Sequence, residues 1–117
     1  MTRTETKARM LVVDDEPGIR QVLETAFTDR GLAVTTASNG DKAIELLTEQ
    51  QFDVVITDLK MPGRDGMAVL RAAKEAAIDA GIIVITAYGT LETAVEAMRL
   101  GAFDYIAKPF KLQEIEL

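Results

Sequence analysis

Short apolar runs recur along the chain, and each closes on a polar residue. Met10-Leu11-Val12-Val13 leads into Asp14 and Asp15, and Val54-Val55-Ile56-Thr57 leads into Asp58. Ile82-Ile83-Val84-Ile85 leads into Thr86, and Phe103-Asp104-Tyr105-Ile106-Ala107 leads into Lys108. Between the runs, apolar residues take helical spacing: Ile19, Val22, Leu23, Ala26 and Phe27, then Ala43, Ile44 and Leu47. Val69, Leu70 and Ala73 mark a third helix, and Leu91, Ala94, Val95 and Met98 a fourth. Pro17 suits a first helical turn, where its missing N–H costs nothing, and Gly31 and Gly101 close the first and fourth helices. A less apolar strand fits residues 33–37, the next helix starts near Asn39-Gly40, and a last one begins near Leu112. The pattern is β-α five times over. Strands one, three and four are almost unbroken apolar runs, as parallel strands covered on both faces must be. Right-handed crossovers then predict an α/β fold, a doubly wound three-layer sandwich around a five-stranded parallel sheet.

With 117 residues, nearly half of them apolar, the chain is expected to make one domain over residues 9–117, preceded by a loose polar tail at 1–8. The final helix has room for only about two turns before Leu117, so the sequence reads as cut from something longer. No apolar stretch approaches the ~20 residues of a membrane span, and no signal segment opens the chain. The absence of cysteine removes disulfide and thiol chemistry and fits a cytoplasmic location. A net charge of −6 without a Lys/Arg cluster argues against nucleic acid as a direct partner of this domain. There is also no histidine, the commonest general base. Any histidine chemistry must come from another protein.

If the runs are parallel strands of one sheet, Asp14, Asp15, Asp58, Thr86 and Lys108 gather at one edge, where open α/β sheets place their chemistry. Taken singly, each has a plain explanation. Asp14 and Asp15 complement a helix dipole, Asp58 caps a turn, Thr86 ends a strand, and Lys108 is a solvated lysine. Together they describe more. With strands one and three adjacent, three carboxylates meet at close range, and a proton or a cation must relieve their repulsion. Oxygen ligands alone suit Mg²⁺, with Mn²⁺ as a substitute. A carboxylate can attack phosphorus to give an acyl phosphate, and a hydroxyl and an ammonium suit the oxygens of a transferring phosphoryl group.

The segments Leu11-Val12-Val13-Asp14-Asp15-Glu16-Pro17, Thr57-Asp58-Leu59-Lys60-Met61-Pro62-Gly63, Ile85-Thr86-Ala87 and Phe103-Asp104-Tyr105-Ile106-Ala107-Lys108-Pro109-Phe110 resemble the receiver domain of two-component response regulators, in order and spacing, over residues 9–117. The resemblance implies a flavodoxin-like sheet of order 2-1-3-4-5. It implies that Asp58 is the phosphoacceptor and that Asp14, Asp15, Asp58 and the main-chain carbonyl of Lys60 hold the magnesium. Thr86 and Lys108 would contact the phosphoryl group, and Tyr105 matches an aromatic switch, with a core tyrosine as the alternative. The Lys108-Pro109 bond would be cis. Lys60 and Tyr88 lie where side chains tune phosphoryl loss, and a bulky Tyr88 would obstruct water.

The resemblance further implies a donor carrying phosphohistidine, either a sensor histidine kinase or a phosphotransfer protein, docking near Ile19, Arg20 and the Pro109 loop. Phosphorylation would change the face of helix four, strand five and helix five, around Glu92, Glu96, Arg99, Lys111 and Glu114, and homodimerisation there is a further expectation. The domain would be a switch, not a classical enzyme, catalysing only its own phosphorylation and slow dephosphorylation. The stretches Ala87-Tyr88-Gly89-Thr90 and Gly101-Ala102-Phe103-Asp104-Tyr105 most resemble receivers of sigma-54-dependent transcription activators. The principal alternative is a receiver-like interaction module that is never phosphorylated. A phosphatase of the Asp-x-Asp type is disfavoured because Lys60 stands where its second acid belongs. A nucleotide or flavin binder is disfavoured because Asp14-Asp15-Glu16 would repel phosphate.

Overall fold

The computed structural model describes residues 7–61, 63–76 and 79–115. The expectations for the tail at 1–6, for Pro62 in the turn, and for the last helix through 116–117 lie outside the described residues. Strand β1 (Arg9–Val13) is followed by α1 (Pro17–Asp29), β2 (Ala33–Ala37), α2 (Gly40–Glu49) and β3 (Val54–Thr57). Then come α3 (Gly66–Ala76), β4 (Gly81–Thr86), α4 (Leu91–Arg99), β5 (Asp104–Ala107) and a single 3₁₀ turn at Leu112–Glu114. All pairings are parallel, and the sheet order is β2-β1-β3-β4-β5, as expected.

Local chemistry accounts for most boundaries. Pro17 opens α1, and Asn39 caps α2 by accepting the N–H of Lys42 at 2.7 Å. Gly31 and Gly101 carry φ of +92° and +108°, and the N–H groups just beyond them return to Phe27 and Ala97 carbonyls, closing α1 and α4. The alternation of strand side chains splits the core in two. Leu11, Val13, Val55, Ile82 and Val84 face α2 and α3 and meet Ala97 of α4, while Met10, Val12, Ile56, Ile83, Ile85 and Ile106 face α1, around Leu23 and Phe27.

Three details differ from the pattern in the sequence. Val22 sits on the apolar spacing of α1 yet is 49% exposed, because the helix turns its Leu23–Phe27 line to the sheet. On α4, Leu91, Val95 and Met98 are 81%, 49% and 48% exposed, and Ala97 alone is buried, since this helix lies beside the short edge strand β5. The last element is a 3₁₀ turn rather than an α-helix over its described part, with Ile115 buried against the α1 side of the sheet.

Candidate functional site

The register sets the site. Val13 pairs with Thr57, and the Asp58 N–H continues the ladder to the Val13 carbonyl at 2.9 Å, so Asp14 and Asp58 leave neighbouring strands side by side. Thr86 pairs with Ala107, and the Lys108 N–H bonds the Thr86 carbonyl at 3.0 Å, which brings Lys108 to the same edge. Gly66 lets the chain pass behind Asp58. A β-carbon at Gly66 would stand 2.2 Å from the Asp58 carbonyl oxygen, and the Gly66 N–H instead bonds the Leu59 carbonyl at 2.8 Å.

Lys108 Nζ lies 2.9 Å from Asp14 Oδ2, 3.1 Å from Asp58 Oδ2 and 2.8 Å from Glu16 Oε2. Asp14 and Asp58 are each 3% exposed, whereas Asp15 and Glu16 face solvent. Single carboxylate oxygens of Asp14, Asp15, Glu16 and Asp58 all come within 4.8 Å of one another. Asp14 Oδ1 accepts the Glu16 N–H at 2.9 Å, and Arg20 donates to the Asp14 carbonyl at 2.8 Å, which steadies the loop. Asp58 Oδ1 accepts the Leu59 N–H at 2.6 Å, leaving Oδ2 toward Lys108. Burial pushes the Asp14 carboxyl above its ordinary range; hydrogen bonds from Glu16 N–H and Lys108 oppose this without cancelling it. Burial pulls the Lys108 ammonium down, but hydrogen bonds to Glu16, Asp14 and Asp58 outweigh it and hold the group above the ordinary lysine range.

Asp15, Glu16, Asp58, Lys60, Met61 and Tyr88 line an open cleft of about 450 Å³. Across it, Lys60 Nζ lies over the Tyr88 ring, 5.3 Å from its centre. The buried Thr86 hydroxyl accepts the Tyr88 N–H at 3.1 Å, within its own loop. Tyr105 stands apart from the acids, its hydroxyl 2.8 Å from Thr93 Oγ1. The Lys108-Pro109 peptide is cis. Asp14, Asp15, Asp58, Lys60 and Lys108 thus come together, with Thr86 at the same edge. Glu16 joins them unexpectedly: its acidity is plain in the sequence, but its reach back to Lys108 depends on how the chain turns into α1.

Four carboxylates against the ammonium groups of Lys108 and Lys60 leave an excess of negative charge in a cleft of hard oxygen donors, a set that suits a small divalent cation. The family model of the response regulator receiver domain matches residues 10–117. The chain belongs to this family. As a receiver domain it is 44% identical, over 93% of its length, to the regulatory protein AtoC of Escherichia coli (strain K12), and 43% identical, over 88%, to the DNA-binding transcriptional regulator NtrC of Klebsiella pneumoniae. It spans only 24% and 22% of those two proteins. A response regulator from Burkholderia pseudomallei, solved with a phosphorylated aspartic acid, a calcium ion and citrate, is 31% identical with a TM-score of 0.86, over 92% of this chain and 64% of that one. The receiver domain is a signalling switch and not a classical enzyme. Among the described residues no helix is long and apolar enough to cross a membrane.

Proposed function

We propose that this receiver takes a phosphoryl group from a phosphohistidine onto Asp58. The supporting observation is the position of Asp58 Oδ2, 3.1 Å from Lys108 Nζ within a carboxylate cluster that also contains Asp14 and Asp15. Asp58 Oδ2 attacks phosphorus, the phosphorus–nitrogen bond of the donor breaks, and the imidazole leaves with the electron pair and takes up a proton. Asp58 becomes an acyl phosphate. Asp14, Asp15, Asp58 and the carbonyl of Lys60 would hold Mg²⁺, or Mn²⁺ in its place, and its charge would offset the repulsion between a carboxylate and an anionic phosphoryl group. Lys108 exchanges carboxylate partners for a phosphoryl oxygen, and the Thr86 hydroxyl leaves the Tyr88 N–H for another. The domain catalyses its own phosphorylation and its slow dephosphorylation.

Donor docking uses the groove lined by Ile19, Val22, Pro109, Phe110 and Leu112, which opens beside Lys108 and so brings a partner's histidine to the acceptor. The partner is a sensor histidine kinase or phosphotransfer protein, met in the cytoplasm. Tyr105 and the loop at 87–90 carry the change to α4 and β5, whose exposed Leu91, Val95, Met98 and Phe103 favour contact with an output module or a second copy on phosphorylation. The likeness to AtoC and NtrC supports transcriptional control as the outcome. The test is acetyl phosphate with Mg²⁺ followed by intact mass. One added phosphoryl group, absent in Asp58→Asn and after chelation, supports this reading, and an unmodified parent chain overturns it in favour of a receiver-like interaction module.

A further inference from the structure

Tyr105 is half-buried on the α2–α4 side of the sheet, and its hydroxyl meets one already in use. Thr93 Oγ1 accepts the Thr90 N–H at 2.8 Å and lies 2.9 Å from the Thr90 carbonyl, to which it can donate. A hydroxyl has one proton and two lone pairs. Thr93 Oγ1 also lies 3.3 Å from Thr90 Oγ1, so this one hydroxyl is shared between Thr90 and Tyr105, and either hydroxyl of the Thr93–Tyr105 pair can donate. The Thr93 N–H returns to Thr90 Oγ1 at 3.1 Å, so one side chain both closes the N-terminus of α4 and fastens the tyrosine.

The phenol occupies space that Gly89 leaves empty. A β-carbon on Gly89 would stand 2.2 Å from the Tyr105 oxygen and 2.9 Å from two ring carbons, closer than any real contact. One residue earlier, the Tyr88 N–H is tied to Thr86. The loop at 87–90 is thus strung between the buried Thr86 hydroxyl and the tyrosine resting on Gly89.

We infer that Gly89 and Thr93 are positioning residues for Tyr105 and couple its orientation to the first turn of α4. Withdrawing Thr86 from the Tyr88 N–H displaces Gly89, which removes the seat of the phenol. Departure of the phenol removes a hydrogen bond from Thr93 Oγ1 and loosens the helix start. This rests on the reading of Tyr105 as the residue that moves.

The chain has no tryptophan and two tyrosines, so Tyr88→Phe leaves Tyr105 as the sole fluorophore of its kind. In that background and without any phosphoryl donor, acrylamide quenching and the amide exchange of Thr93 and Ala94 are compared among variants. Gly89→Ala and Thr93→Val are expected to raise Tyr105 quenching, while Thr93→Ser, which keeps the hydroxyl, leaves it unchanged. Gly89→Ala, with the cap chemically intact, is expected to speed exchange roughly fivefold, the equivalent of one neutral hydrogen bond. A folded Gly89→Ala chain with parental quenching and exchange overturns the inference. Should that variant not fold, Tyr105→Phe decides, because it removes only the O–H: faster exchange supports the coupling and unchanged exchange refutes it. A Tyr88→Phe chain whose Tyr105 signal ignores acetyl phosphate and Mg²⁺ would count against the switch reading alone.

Discussion

Lys108 is the residue on which the acidic edge balances. Its ammonium sits within 3.1 Å of three carboxylates, two of them buried, so it offsets a repulsion that otherwise falls on β1 and β3 directly. Lys108→Met is expected to lower unfolding free energy by about 2 kcal/mol in urea with chelator, less than for a fully buried pair because the acids can take up protons. Added Mg²⁺ should return part of that loss; a variant as stable as the parent would show the compensation lies elsewhere. Tyr88 bears on the opposite wall of the cleft, where its ring lies under the Lys60 ammonium. Tyr88→Ala should open a path for water and speed phosphate release severalfold, read by loss of phosphorylated mass after donor removal. An unchanged rate would leave the ring without a shielding role.

Among the elements, the parallel strands were the most legible in sequence. Runs such as Ile82-Ile83-Val84-Ile85 admit a buried strand and little else, and Gly31 and Gly101 announce helix ends that the positive φ values require. The periodicity of α4 was equally plain, but spacing cannot say whether a neighbour covers the apolar side. Here Ala97 packs and Leu91, Val95 and Met98 face outward. Replacing Leu91 and Met98 together by Gln is therefore expected to change stability by less than about 0.5 kcal/mol per residue. Ala97→Leu should cost about 1–3 kcal/mol by overpacking. Urea denaturation separates the two, and a large loss in the double Gln variant would mean that α4 packs by its outer face. Gly66 shows the reverse case, a glycine whose need arises only from the distant Asp58 carbonyl and so cannot be read locally. Gly66→Ala should impair phosphorylation of Asp58 while the far-UV spectrum stays parental.

For the molecule as a whole, the site was readable because strand order and register turn sequence distance into proximity. Asp14, Asp58 and Lys108 meet through ladder bonds that the apolar runs imply. The contact of Glu16 with Lys108 and that of Tyr105 with Thr93 were not readable, since each depends on loop paths and rotamers. If the acids hold Mg²⁺, binding must stabilise the entire fold by mass action. At a hundredfold excess over the dissociation constant the unfolding free energy should rise by about 2.7 kcal/mol. Thermal melts with Mg²⁺ and with chelator measure this, and Asp15→Asn, at an exposed acid, should abolish most of the increment. Retention of the full increment would remove Asp15 from the ligand set. The bare outer side of α4 has a consequence for lineage as well as for signalling. Three positions stand outside both core clusters, so substitutions there are expected to cost folding little. A cell that carries many copies of this architecture can therefore diversify those positions to insulate one pathway from its paralogues, with the phosphorylation chemistry held constant beneath.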